Sequence, residues 1–243
     1  MKKIILLLAF CLSVGNLFAQ DANADKLREE GDAAMTAKNY PEVVAKYSEY
    51  LKLTNYEDES RVFNCAFAAY NAKKYDDAIK FYDMAIQKGY KTDDAYVGKA
   101  MSLRSQDKAA DFTATVEAGL KANAQNANLE KLLYAYCMKK GQAAQKAGKT
   151  EEAEELFKDV LVVGNAKYKG NALYSLGVMF YNAGAKILAD ANPIATSDPD
   201  KYAAEKKKAD AQMAKAKGYL EQAIALNAAD ANSKKILDAI NAA

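Results

Sequence analysis

Histidine and tryptophan do not occur in this 243-residue chain. Without histidine there is no His-dependent triad, no His-ligated metal site and no imidazole to act as general base near neutral pH, so most familiar catalytic designs are excluded at once. Proline and glycine are scarce, at 3 and 12 residues. Sandwiches and barrels need turn-forming residues every few positions, whereas here Ala, Lys, Glu and Leu dominate, a bias toward helix. An all-α fold is the first expectation. Charge of one sign is also missing: 34 basic against 32 acidic side chains leave +2, which gives no electrostatic footprint for nucleic acid. Cysteine numbers 3, with no C-x-x-C pair, and Gly-rich phosphate loops and the nucleophile-elbow pattern are absent. The sequence implies no cofactor and gives no argument for an enzyme.

Long apolar runs are confined to the first twenty residues. Met1-Lys2-Lys3 is basic, Ile4 to Val14 is almost wholly apolar, and Gly15-Asn16 breaks the run before the small residue Ala19. The pattern predicts a secretory signal peptide over 1–19, cleaved after Ala19, with Ala22-Asn23-Ala24 as the alternative site. An apolar run of about 11 residues is too short for a bilayer that needs about 20. Cys11 follows Leu8-Ala9-Phe10, but Phe10 is bulky where a lipoprotein box wants a small residue. Later apolar stretches are interrupted by charge, so no transmembrane segment is expected after cleavage. With Lys2 and Lys3 gone the basic and acidic counts are equal, 32 against 32. The expected product is exported, and the expected compartment is the periplasm, with outer-membrane association or release as variants.

Self-comparison reveals a repeat. Asn71-Ala72-Lys73-Lys74-Tyr75-Asp76-Asp77-Ala78-Ile79-Lys80-Phe81-Tyr82 parallels Thr36-Ala37-Lys38-Asn39-Tyr40-Pro41-Glu42-Val43-Val44-Ala45-Lys46-Tyr47, and Lys146-Ala147-Gly148-Lys149-Thr150-Glu151-Glu152-Ala153-Glu154-Glu155-Leu156-Phe157 is a third copy. Each reads as a helix end, a tight turn and a second helix with apolar or small residues at i, i+4 and i+7.

These residues resemble the tetratricopeptide repeat, a unit of about 34 residues made of two antiparallel helices. Units starting at Ala24, Glu59, Asp93, Tyr134 and Gly170 put Gly31, Ala66, Ala100, Gly141 and Gly177 at the family's small position in the first helix. Tyr47, Tyr82, Val116 and Phe157 then fall at the large position of the second. A small residue lets the two backbones approach, and the large one fills the wedge where they diverge. The resemblance implies an α-α superhelix, a single solenoid domain over 20–243. Its repeats run over about 24–58, 59–92, 93–127, 128–169 and 170–229, with a capping helix over 230–242. The fifth unit is interrupted over about 189–215, with Ala191 to Asp200 expected as a loop and Tyr202 to Leu226 as helix. Ala216, Leu220 and Ala223 are the face of its displaced second helix. Asp230 is expected to cap a last helix with Ile236, Leu237 and Ile240 inward and Lys234, Lys235 and Asp238 in water.

In this register Cys65 and Cys137 lie two repeats apart, about 15 to 20 Å by the spacing of packed helices, beyond the roughly 7 Å that a disulfide allows. Two free, buried thiols are expected. Asp93-Asp94 and Asp198-Pro199-Asp200 lack the Gly and distal Glu of a calcium loop and read as helix starts or solvated loop; no metal site is expected.

By resemblance, function lies on the face formed by the first helices of successive units, where a peptide, helix or partner domain binds. The candidate residues are Phe63, Phe67, Tyr70 and Asn71, then Val97, Met101 and Arg104, and, in the fifth unit, Tyr174, Tyr181 and Asn182. Met138, Gln142, Gln145 and Lys146 are the corresponding residues of the fourth. Packing of Phe63 or Tyr174 against a neighbouring helix is the competing role. Some members of the family clamp a chaperone's C-terminal carboxylate between basic and Asn side chains. Arg28 and Asn64 match that clamp, but Asp32, Asp94 and Gly98 stand where it needs Asn and two basic residues, so a carboxylate would be repelled. The resulting expectation is a non-catalytic exported scaffold for a protein or peptide. A structural subunit of an envelope or secretion complex is the alternative, followed by an enzyme or small-ligand binder.

Overall fold

The computed structural model describes residues 21–242; the expected leader, 1–19, lies outside them. Among the described residues every regular element is helical. Five hairpins follow one another: α1 (21–36) with α2 (Tyr40–Leu53), α3 (Glu59–Asn71) with α4 (Tyr75–Gln87), α5 (Thr92–Ser105) with α6 (Ala109–Ala122), α7 (Ala127–Lys146) with α8 (Thr150–Asp159), and α9 (Ala166–Ala191) with α10 (Pro199–Leu226). A final helix, α11, covers Ala231–Asn241. No described helix is long and apolar enough to cross a membrane. The chain divides into two compact units, the first ending at Gly119 and the second beginning at Leu120.

Five helix starts are set by short polar side chains. Asp58 accepts from the Arg61 amide, Asn126 from that of Leu129, Asn165 from that of Tyr168 and Asp198 from that of Lys201. Each satisfies an amide that has no partner inside its helix, worth about 1 kcal/mol. Asp230 caps α11 as expected, accepting from the amides of Asn232 and Ser233.

The turns inside the first four hairpins share one geometry. Lys38, Lys73, Asp107 and Gly148 take left-handed backbone angles, with φ of 56°, 60°, 55° and 74°. The amide one residue on then bonds a carbonyl five residues back: Asn39 to Ala34, Lys74 to Ala69, Lys108 to Leu103 and Lys149 to Ala144. This is a Schellman stop, made at glycine in only one case.

In the first unit the core is built from Val43, Tyr47, Leu51, Val62 and Cys65, all essentially without exposure. A Cβ on Gly31 would lie 2.4 Å from the Tyr47 ring, so only a hydrogen fits there. In the second unit Gly141 stands against Phe157 in the same way, at 2.6 Å. The pairing of small and large positions read from the repeat is therefore a real contact.

The fifth hairpin differs from its expected form. Residues 189–215 are nearly all helix: α9 runs 26 residues, a short 3-10 turn covers Asn192–Ile194, and α10 starts at Pro199 and runs 28. The expected loop at 191–200 is reduced to a few residues, because Asp198-Pro199 starts a helix. Proline at the first helical position lacks only an amide that would have no partner, and Asp198 caps it. Gly177 still packs against Leu220, where a Cβ would lie 2.6 Å from its Cγ, and Ala216, Leu220 and Ala223 are buried. On α11, Ile236, Leu237 and Ile240 are half-buried, while Lys234, Lys235 and Asp238 are exposed.

Candidate partner-binding surface

Phe63, Phe67, Tyr70 and Asn71 recur at intervals of one helical turn, so α3 presents them on one face. Together with Asp94, Val97, Gly98 and Met101 from α5 and Tyr82 from α4 they line a groove of about 340 Å³. Its aromatic rings are held in place. Phe63 meets Tyr82 edge to face at 5.8 Å and Tyr90 at 6.2 Å, and the Lys91 ammonium lies 5.1 Å from the Phe63 ring centre. Phe67 stands edge-on to Tyr40 at 5.9 Å, yet remains 42% exposed. Tyr70 leans on Tyr75 at 5.9 Å, and Asn71 Nδ2 donates to the Phe67 carbonyl at 2.8 Å. Rings fixed before binding cost little further entropy when a partner lands on them.

Tyr82 is the floor. A Cβ on Gly98 would fall 2.1 Å from its Cζ, so the glycine lets α5 close over the ring. Burial first, then the nearby Tyr70 and Asp94, push the Tyr82 hydroxyl well above the ordinary tyrosine value.

The structure brings Phe63, Phe67, Tyr70, Asn71, Val97 and Met101 to one place and distributes the other candidates elsewhere. Arg104 sits one turn beyond Met101 on α5, half-buried, outside the groove lining. In the second unit Tyr174 lines a separate pocket of about 450 Å³ with Lys167, Asn171, Leu226 and Asp230. Tyr181 is half-buried and Asn182 exposed farther along α9, and Met138 is 9% exposed. Phe63 also has the packing role weighed against binding, since it contacts Tyr82 and Tyr90. Tyr82 is a lining residue that the sequence pattern assigned to the wedge between helices, while Asp94 and Gly98 line the groove at positions the resemblance had matched to a carboxylate clamp.

The carboxylate-clamp region is occupied by an internal network. Asp32 accepts from Arg61 Nη2 at 2.7 Å, Arg61 Nε at 3.3 Å and Tyr47 Oη at 2.6 Å. Burial by itself would raise the Asp32 carboxyl; the bonds from Arg61 and Tyr47 outweigh it and hold the group below its ordinary value. Arg28 pairs with Asp25 at 3.1 Å.

Cys65 and Cys137 are free and buried, and burial pushes both thiols up to about 12. Among the described residues no group of three or more His, Cys, Asp and Glu is arranged to hold a metal ion.

Successive antiparallel hairpins, three of them closed by a glycine against a large side chain, define a helical-repeat protein, a class that commonly mediates protein–protein interaction. No protein-family model matches the chain. A TPR repeats protein of Bacteroides fragilis NCTC 9343, known from a crystal structure, is 44% identical, with 90% of this chain and 98% of that one covered and a TM-score of 0.84. This chain belongs to the tetratricopeptide-repeat family. The Hsp70-Hsp90 organizing protein 1 of Glycine max is 30% identical over 154 residues, 60% of this chain. The match spans only 26% of that relative's length. The TPR2AB domain of yeast Sti1 in its pHSP90 complex is 15% identical over 90% of this chain and 97% of its own, with a TM-score of 0.36.

Proposed function

We propose that this protein is a non-catalytic exported scaffold that seats a segment of a partner protein in the α3/α5 groove. The observation that carries the reading is the groove itself: apolar and aromatic, with Phe67 42% exposed although it belongs to a helix whose opposite side is fully packed. Aromatic and Met side chains around an apolar floor are the composition favoured at binding surfaces. Export rests on Lys2-Lys3, the apolar run Ile4 to Val14 and Ala19, and the proposed compartment is the periplasm.

The soybean relative is by its name an organiser of Hsp70 and Hsp90, but Asp32, Asp94 and Gly98 separate this chain from a carboxylate clamp, so its ligand belongs to another class. Affinity purification of the mature chain from its own envelope fraction tests the reading, run beside a Phe67→Ser, Tyr70→Ala variant. The expected result is a partner band that the variant loses while its circular dichroism is unchanged; equal capture by both moves the site off this groove. Mass spectrometry of the purified native protein is expected to find Gln20 as the first residue, and an intact Met1-Lys2-Lys3 end removes the export claim.

A further inference from the structure

We infer that the pocket between α9, α10 and α11 binds a neutral saccharide unit, a second site independent of the α3/α5 groove. Its volume of about 450 Å³ falls in the roughly 300–1,000 Å³ of small-molecule sites. The walls come from three helices: the first turns of α9, the end of α10 and the start of α11. Gly170 of α9 lies in the lining. Unlike Gly31, Gly141 and Gly177, it has nothing within 4 Å of an added Cβ, and its place inside the helix asks for no left-handed backbone angle. Packing therefore does not require it, and alanine at such a position makes the more stable helix. What the missing side chain provides is space in the pocket wall, where a ligand can approach the helix backbone.

The groups around that space select the chemistry. Lys167, Asn171 and Tyr174 share a helix face with Gly170, and a long helical side chain lies over the turn before its own Cα, which for Tyr174 is the turn of Gly170. Asn171 Nδ2 donates to Tyr134 Oη at 2.8 Å, and the Tyr134 ring is stacked on Tyr168 at 4.3 Å. The Asn171 amide is thus held in place with its oxygen as an acceptor. At the end of α10, Asn227 Oδ1 accepts from the Ala229 amide at 3.1 Å, which leaves its NH2 as a donor, and Leu226 is 40% exposed. A pyranose fits this combination. Its C–H face packs on Tyr174 and Leu226, and its hydroxyls, each both donor and acceptor, pair with the amides of Asn171, Asn227 and Asn232. A wholly apolar ligand would leave those amides unpaired. An anion gains little, because the cation of the lining, Lys167, is matched by Asp230, whose carboxylate already caps α11 through the Asn232 and Ser233 amides and the Ser233 hydroxyl.

The experiment is saturation-transfer NMR of free glucose, galactose, mannose and N-acetylglucosamine with the full chain, beside a glycan array carrying neutral and acidic glycans, repeated on Gly170→Ala and Tyr174→Ala variants. At least one neutral saccharide is expected to bind. A signal from the free sugars assigns a monosaccharide, and one from the array alone assigns a unit within a longer glycan. Binding is expected to weaken about tenfold on Gly170→Ala, whose methyl fills the space, and by a similar factor on Tyr174→Ala. Gly170→Ala is also expected to melt at a higher temperature than the parent, so its loss of binding is not a loss of fold. No neutral ligand in either format, a preference for acidic glycans, or binding that Gly170→Ala leaves unchanged overturns the inference. A lower melting temperature for Gly170→Ala, which would mean that the glycine serves packing, overturns it as well.

Discussion

The hairpin α7/α8 and the hairpin α9/α10 close by the same device with different parts. In the first, Phe157 fills the space over Gly141; in the second, Leu220 does so over Gly177. The long helices then stay in contact past that point, with Phe180 stacked on Tyr219 at 5.8 Å and Gly184 facing the Ala209 carbonyl, 3.0 Å from where a Cβ would sit. The short hairpin α7/α8 has a single ring where its helices diverge. A long one distributes the closure along a seam of small residues, Gly177, Gly184, Ala209 and Ala216. The short form also leaves side faces uncovered, and the groove of α3 and α5 is such a face.

If the ring concentrates the closure, Phe157→Ala gives the largest loss, about 3–5 kcal/mol, while Leu220→Ala costs about 2–5 kcal/mol with the seam taking up part of the gap. Urea denaturation of the two variants side by side measures this, and a larger loss for Leu220→Ala breaks the comparison. Glu130, 8% exposed, accepts from the amides of Gly164 and Asn165 just before α9. Glu130→Ala leaves both without that acceptor and is expected to cost about 1–3 kcal/mol, with faster hydrogen exchange at the start of α9.

Two glycines of the long hairpin should respond with opposite signs. Gly177→Ala drives a methyl into Leu220, a cost of about 1–3 kcal/mol that the better helix propensity of alanine only partly offsets. Gly218 has nothing within 4 Å of an added Cβ, so Gly218→Ala should stabilise by about 0.8–1 kcal/mol. Equal signs in thermal melts would mean that the seam is not tight.

The Asp32 network gives a pH signature on the acid side. Its folded carboxyl lies below the unfolded value of about 3.9, so its contribution is complete above that pH and is lost as pH falls through the folded value. The melting temperature of Asp32→Asn should therefore fall less steeply than the parent's between about pH 5 and 2. An identical slope would show that Arg61 and Tyr47 do not discriminate between the charged and neutral forms. A small stability change, about 0.5–1 kcal/mol, is expected for Phe67→Ser, because the ring is 42% exposed and packs on one side only, against Tyr40; that variant separates binding from folding.

The hairpins were legible because a helix crossing demands small and large residues at fixed spacing, and Gly31 with Tyr47 and Gly141 with Phe157 spell it out. The long hairpin was only half legible. Leu220 gave the register of α10, but Ala191 to Asp200 carries proline, Asn and Asp, residues that start helices as readily as they end them. In the groove, the α3 residues were readable because a helix face is a periodic pattern. Arg104 was placed there by the same periodicity, which gives direction around the axis but not how far a groove extends. Tyr82 was hidden because a residue can serve a core and a surface at once, and spacing reports only the first role.

The left-handed turns at Lys38, Lys73, Asp107 and Gly148 are closed by backbone bonds spanning five residues. No distant part of the chain is needed to make them, so each short hairpin can nucleate on its own and search for its neighbours afterward. Contacts this local belong to the fast end of folding, in the microsecond to millisecond range. A chain built this way can begin to fold at any of its short hairpins and propagate from there.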